Sequence, residues 1–114
     1  MTTLPAYETI LAQPAAEHVL KVVLNRPDVG NALNTQMGHD LLDLWNRLTE
    51  DPGDVRCVVL TGAGTKIFCA GGDLKERNGM TRETWRRQHE LFERMFVALM
   101  ELPARLGTRL DTIP

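Results

Sequence analysis

The first regular alternation along the chain falls at residues 18–24, where Val19, Lys21 and Val23 oppose Leu20, Val22 and Leu24. Lys21 is the only charge between His18 and Asn25, so the pattern predicts a strand buried on one face and mostly covered on the other. A weaker β-prone stretch spans Tyr7 to Ala12, and Gln-Pro-Ala-Ala-Glu separates the two. They are expected to form a hairpin or an adjacent strand pair. Asn-Arg-Pro-Asp-Val-Gly-Asn at 25–31 then reads as a short irregular loop, because Pro27 biases Arg26 away from helix and Gly30 with Asn31 tolerates turn geometry.

From Asn34 or Thr35, either of which can cap, Met37, Leu41, Leu44 and Leu48 recur at helical spacing, with Leu42 and Trp45 widening the stripe. This helix should stop near Glu-Asp-Pro-Gly-Asp at 50–54. A β-prone run follows, with Val55, Cys57, Val58, Val59 and Leu60 between Gly53 and Gly62. Strand, helix and strand in succession favour a right-handed βαβ unit with a parallel sheet. A second long helix can begin after Thr81, presenting Trp85, Gln88 or His89, Phe92, Met95, Phe96 and Leu99 on one side and stopping at Pro103. Glu83 with Arg87, and Glu90 with Arg94, have the favourable i,i+4 order of a solvated face.

Composition bounds what these elements build. With 114 residues, 43% hydrophobic and 25% charged, the chain suits one domain with a modest core. Thirteen basic residues against 15 acidic ones leave a net charge of -2, so nothing in the totals supports attraction to nucleic acid. Cys57 and Cys69 lie in apolar contexts beside three scattered histidines, which offers neither a disulfide framework nor a metal signature. Buried, reduced thiols are expected. The start carries no basic stretch followed by an apolar run, and no long apolar segment occurs, so a cytoplasmic protein with no membrane span is expected.

The segment after the second long strand, Ala-Gly-Thr-Lys-Ile-Phe-Cys-Ala-Gly-Gly-Asp-Leu-Lys-Glu-Arg, is the most informative. Glycine-rich backbone beyond a strand can cradle phosphate in a nest of amides or hold a developing oxyanion on fixed N–H groups. Neither the P-loop spacing nor G-x-G-x-x-G is present here, so the nucleotide-loop readings fail. Asp73 in such a turn could act as an acid or base, although capping the turn that starts at Leu74 is its more ordinary use. Cys69 has no histidine nearby in sequence, and core packing is its expected role.

Leu-Asn-Arg-Pro-Asp-Val-Gly-Asn-Ala-Leu-Asn-Thr-Gln-Met at 24–37, followed by the strand and Cys-Ala-Gly-Gly-Asp-Leu-Lys-Glu at 69–76, resembles the enoyl-CoA hydratase/isomerase, or crotonase, superfamily. The similarity covers about Ile10 to Pro103. It implies an α/β fold: part of a crotonase-like ββα spiral with a parallel sheet and long helices. Residues 1–103 would form the N-terminal part of that domain, and residues 104–114 a divergent tail. The implied ligand is an acyl-CoA thioester, with no separate cofactor, because CoA is part of the substrate.

By that resemblance the backbone amide of Gly72 is half of an oxyanion hole for the thioester. Ala70, Gly71, Asp73 and Leu74 match the surrounding CoA-binding loop, and Asn31, Ala32 and Leu33 match the facing turn. Arg26, Lys66 and Lys75 are the expected phosphate neighbours. Family members are considerably longer and supply a second oxyanion N–H and two catalytic glutamates from later segments, whereas Ala-Arg-Leu-Gly-Thr-Arg-Leu-Asp-Thr-Ile-Pro after Pro103 shows no matching strand or glycine-rich loop. Glu90, Glu93 and Glu101 fall on the preceding helix and do not fill those roles. The expectation is therefore a shortened family member with little or no hydratase or isomerase activity of its own; a noncatalytic CoA-binding module is the alternative. The resemblance also implies assembly into trimers or dimers of trimers, as is common among full-length relatives. An RNA-associated role is suggested only by similarity to a branch with such members, and the charge gives it no support.

Overall fold

The computed structural model describes residues 4–106 and 109–113, with side chains through residue 103. A four-stranded sheet runs in the order β1 (Ile10–Ala16), β2 (Val19–Leu24), β3 (Cys57–Gly62), β4 (Arg109–Ile113). The first two strands are antiparallel, and β2, β3 and β4 are mutually parallel. The long helix α1 (Thr35–Glu50) joins β2 to β3, while a single turn α2 (Leu74–Arg77) and the long helix α3 (Arg82–Leu106) precede β4. Strand, helix and strand thus build the expected α/β arrangement.

Leu20, Val22 and Leu24 of β2, with Val58 and Leu60 of β3, are buried in the same cluster as Met37, Leu41, Leu44, Trp45 and Leu48 of α1. Leu91, Phe92, Met95, Leu99 and Leu102 of α3 complete that cluster. The opposite side of β2 is more open: Val19 and Val23 are half-buried and Lys21 is exposed, less covered than the alternation suggested. Asn34 caps α1, its Oδ1 accepting the Met37 N–H at 2.9 Å, which satisfies one of the first-turn donors.

Several elements differ from the sequence reading. β1 begins at Ile10 rather than Tyr7 and continues through Pro14 to Ala16. An edge strand tolerates a residue without an N–H, and the register shifts between Pro14 and Ala16. The preceding residues are tied to α1: the Thr9 N–H and hydroxyl donate to Asp40 Oδ2 at 3.0 and 2.7 Å. Helix α3 passes through Pro103 to Leu106. Proline forfeits one hydrogen bond, but Leu102 beside it is buried in the core and holds that turn in place. The Arg109–Ile113 segment is a strand, paired in parallel with β3 from Cys57↔Arg109 to Thr61↔Ile113. Arg-Leu-Asp-Thr-Ile lacks the continuous apolar run typical of a parallel strand, and its order comes from the neighbouring β3 edge.

The buried face of α3 is also rotated from the expected stripe. Gln88, Leu91, Phe92, Met95, Leu99 and Leu102 are buried, whereas Trp85 and Phe96 are 45% and 51% exposed. Trp85 stacks on His89 instead, with ring centroids 5.5 Å apart. Both cysteines are half-buried rather than fully buried, and neither forms a disulfide.

Candidate functional site

Two loops meet beyond the C-terminal ends of β2 and β3, the place where parallel sheets commonly present ligands. In the first, Pro27–Val29 forms a turn of 3-10 helix, and Gly30 and Asn31 follow with φ of 63° and 56°. Asn31 tolerates this left-handed geometry, and its side chain joins the loops. Its Nδ2 donates to Ala63 O and Ile67 O, both at 2.9 Å, and its Oδ1 accepts the Arg26 N–H at 2.9 Å. The amide side chain is buried, with 1% of the residue exposed. Gly62 makes room for it: a Cβ there would come within 2.7 Å of Asn31 Nδ2 and would strike Phe68 O.

The second loop then lies against the first. The Ala70 N–H donates to Gly30 O at 2.9 Å, the Leu33 N–H to Gly71 O at 2.8 Å and the Asp73 N–H to Leu33 O at 2.9 Å. The last two make an isolated parallel bridge between Leu33 and Gly72. In such a bridge the flanking residues carry the bonds, so the N–H of Gly72 points away from its partner. Among the described residues that amide has no hydrogen-bond acceptor. Gly71, with φ of 94°, supplies the bend before it, and a Cβ there would meet nothing within 4 Å. The arrangement offers one fixed N–H donor, unspent among the described residues, next to the exposed Gly71.

Asp73 is structural in this geometry. Its Oδ1 accepts the N–H groups of Lys75 and Glu76 at 3.0 and 3.1 Å, capping α2. Its Oδ2 lies 3.1 Å from Arg26 Nη1. The Glu76 N–H above all, helped by the Arg26 guanidinium, holds this carboxyl below the usual aspartate range. Arg26 Nη1 also donates to Ala32 O at 2.7 Å, so this arginine braces both loops. Ala32 and Leu33 are buried, whereas Ala70, Gly71, Leu74, Lys66 and Lys75 are exposed. Lys66 lines a groove of about 350 Å³ with Pro27, Gly30, Asn31, Thr65 and Ile67. Glu90, Glu93 and Glu101 line a different groove, between α1 and α3, together with Leu42, Asn46 and Val97.

A third component was not anticipated. Arg77 packs beside Gly72, so that a Cβ on the glycine would lie 3.1 Å from the guanidinium carbon. Its Nε donates to Gln88 Oε1 at 3.0 Å, and the head group sits over the Phe92 ring, 5.9 Å from the centroid. Gln88 Nε2 donates to Thr35 Oγ1 and Glu76 Oε1 at 2.9 and 2.6 Å, and the Thr35 N–H and hydroxyl donate to the same Glu76 oxygen. The network ties the starts of α1 and α2 to α3. The sequence signal was a glutamine inside an apolar stripe, since buried polar groups require partners. Among the described residues no cluster of acidic, histidine or cysteine side chains suits a metal ion, and no helix is long and apolar enough to cross a membrane.

Comparison with known proteins bears on the same segments. A family model described as enoyl-CoA hydratase/isomerase matches residues 15–104. The chain is 38% identical over 96 residues to a putative enoyl-CoA hydratase/isomerase, YngF, of Bacillus subtilis, covering 84% of this chain and 36% of that protein. Identity rises to 52% over 58 residues with the enoyl-CoA hydratase EchA19 of Mycobacterium tuberculosis, covering 51% of this chain and 21% of that one. Among solved structures, an enoyl-CoA hydratase from Bacillus anthracis superposes with a TM-score of 0.78 at 35% identity, covering 92% of this chain and 39% of its own. Pseudomonas aeruginosa AtuE gives 0.81 at 32% identity with the same coverage. The chain therefore spans well under half the length of these relatives.

Proposed function

The chain belongs to the enoyl-CoA hydratase/isomerase family, and from that premise we propose that it carries one half of an acyl-CoA site, with the Gly72 N–H receiving the thioester oxygen. The unspent Gly72 amide, fixed by the Leu33 bridge and next to the exposed Gly71, is the observation that carries this reading. Hydration or isomerisation of an enoyl-CoA passes through an enolate-like species whose oxygen gains negative charge. A donor already oriented before that charge develops stabilises it by about 3–4 kcal/mol, the loss measured when one such donor is removed elsewhere.

On this reading Ala70, Gly71, Asp73 and Leu74 shape the coenzyme loop, and Asn31, Ala32 and Leu33 form its facing wall. Exposed Lys66 and Lys75 are free to meet the coenzyme phosphates, while Arg26 acts through the loop that it braces. CoA enters as part of the substrate, and the chemistry calls for no further cofactor. Asp73 is held ionised by its hydrogen bonds and is not the proton carrier. Without a second oxyanion donor or an acid/base pair, these 114 residues alone should turn over substrate weakly or not at all, since a missing general base costs roughly 10² to 10⁴ in rate. A cytoplasmic location and assembly of the whole protein into trimers or hexamers belong to the same proposal.

The alternative is a module that retains acyl-CoA binding without catalysis. Titration of the chain with butyryl-CoA, paired with an absorbance assay on crotonyl-CoA, separates the readings. Binding that Gly72→Pro abolishes, through loss of the N–H, supports the site. Hydration at the rate of a whole family enzyme would overturn the missing-base argument, and binding unaffected by Gly72→Pro would remove Gly72 from the site.

A further inference from the structure

Two arginines flank the loop, and their surroundings differ. Arg26 is matched by Asp73 at 3.1 Å. Arg77 pairs with no carboxylate among the described residues: its Nε is held by the neutral Gln88 side chain, and its guanidinium carbon lies over the Phe92 ring. Gln88 is 3% exposed and cannot swing aside, because both Thr35 and Glu76 hold its Nε2. Glu76, adjacent in sequence, directs Oε1 to the Thr35 N–H, the Thr35 hydroxyl and Gln88. The Nη1 and Nη2 groups of Arg77 have no hydrogen-bond partner among the described residues.

Among the described residues the half-buried guanidinium pairs directly with no carboxylate, Glu76 reaching it only through Gln88, and an anionic ligand would fill its open N–H groups. The guanidinium also stands where such a ligand would be read. A Cβ on Gly72 would lie 3.1 Å from its Cζ and 3.2 Å from Nη2, so the guanidinium packs against the Cα of the residue that carries the unspent amide. Resting on the reading that the thioester oxygen sits on the Gly72 N–H, we infer that Arg77 is a specificity-determining residue that binds a carboxylate carried on the acyl chain a few carbons from the thioester. Two parallel N–H groups match the two oxygens of a carboxylate. The phosphates of CoA lie a whole pantetheine arm from the sulfur and are out of reach of this position.

Calorimetric titration of the 114-residue chain with succinyl-CoA and butyryl-CoA tests the assignment, since the two differ only in a terminal carboxylate against a methyl. Wild type should bind succinyl-CoA about tenfold more tightly, the scale of one charge-assisted hydrogen bond. Arg77→Met should erase that preference by weakening succinyl-CoA alone, and Arg77→Lys should keep part of it, because an ammonium retains charge without the fork. Equal affinities in wild type overturn the inference without any variant. A preference that survives in Arg77→Met with unchanged circular dichroism does the same, and so does parallel weakening of butyryl-CoA, which would put Arg77 on the part shared by both ligands. If wild type binds butyryl-CoA without preference, only this inference fails; if it binds neither thioester, the acyl-CoA reading fails with it.

Discussion

Gly38 of α1 lies so close under the Phe92 ring of α3 that a methyl at position 38 would come within 2.8 Å of a ring carbon. The missing side chain thus sets how nearly the two helices approach. The same ring carries the Arg77 guanidinium on its way to Gly72, so packing between the helices reaches the candidate site. Gly38→Ala should therefore destabilise the protein by about 1–3 kcal/mol, because overpacking outweighs the better helix propensity of alanine. Urea unfolding of the two proteins measures it. A gain in stability would show that the helices part without cost.

Asn31→Ala removes the partners of the Arg26 N–H, Ala63 O and Ile67 O in one step and places a Cβ-bearing residue without a local hydrogen bond at φ of 56°. A loss of about 2–4 kcal/mol is expected from the lost bonds and the groups left unsatisfied. Asn31→Gly relieves only the backbone term, so it should recover a minor part of the loss in thermal unfolding. Full recovery would place the role of Asn31 in its backbone alone.

Asp73 links stability to acid. Its folded carboxyl holds a proton less tightly than the unfolded one, so the unfolded state binds more protons as the pH falls. The contribution is complete above the unfolded aspartate value of about 4 and disappears as pH drops through the lower folded value. Asp73→Asn should flatten this part of the stability profile below neutrality, read from denaturant midpoints at successive pH values. An unchanged acid limb would assign it to other carboxylates.

Tyr7 gives the opposite sign. Burial, reinforced by its 2.8 Å hydrogen bond to Asp43, raises the phenol above its ordinary value. The folded state then keeps a proton that the unfolded state releases, so this contribution is intact below about pH 10 and is lost at higher pH. Tyr7→Phe should blunt the alkaline loss of stability. Ultraviolet titration at the phenolate band should show delayed ionisation in wild type.

The outer face of α3 exposes Phe96 and Val97, each at 51%, and Met100 at 73%. Apolar surface gathered on one helix favours association. Sedimentation should show the average mass rising with concentration, and Phe96→Lys with Met100→Glu should suppress the rise. A monomer unchanged by concentration would mean that this face is tolerated in water.

The periodicity of α1 was readable because one apolar stripe, from Met37 to Leu48, decided its orientation. Helix α3 was harder: apolar residues occur on several sides, and Phe92 and Phe96 are equally hydrophobic in sequence although only the first is buried. The candidate loop was legible because its glycines and Asp73 carry local geometry, through a positive φ at Gly71 and a cap at α2. Arg77 and Gln88 were not legible as partners, since they lie eleven residues apart across a turn and meet only when α3 docks.

By itself the sequence determined the strand–helix–strand order, the cap at Asn34, the glycine-rich loop and the family resemblance, all features written in residues near one another. Tertiary structure decided which side of α3 is buried, that Arg109–Ile113 joins the sheet, that Arg26 braces Asp73 and that the Gly72 amide is left without an acceptor among the described residues. The reason is physical: a cap or a turn is a local bond, whereas burial, edge pairing and an unspent donor depend on which distant segment arrives beside it.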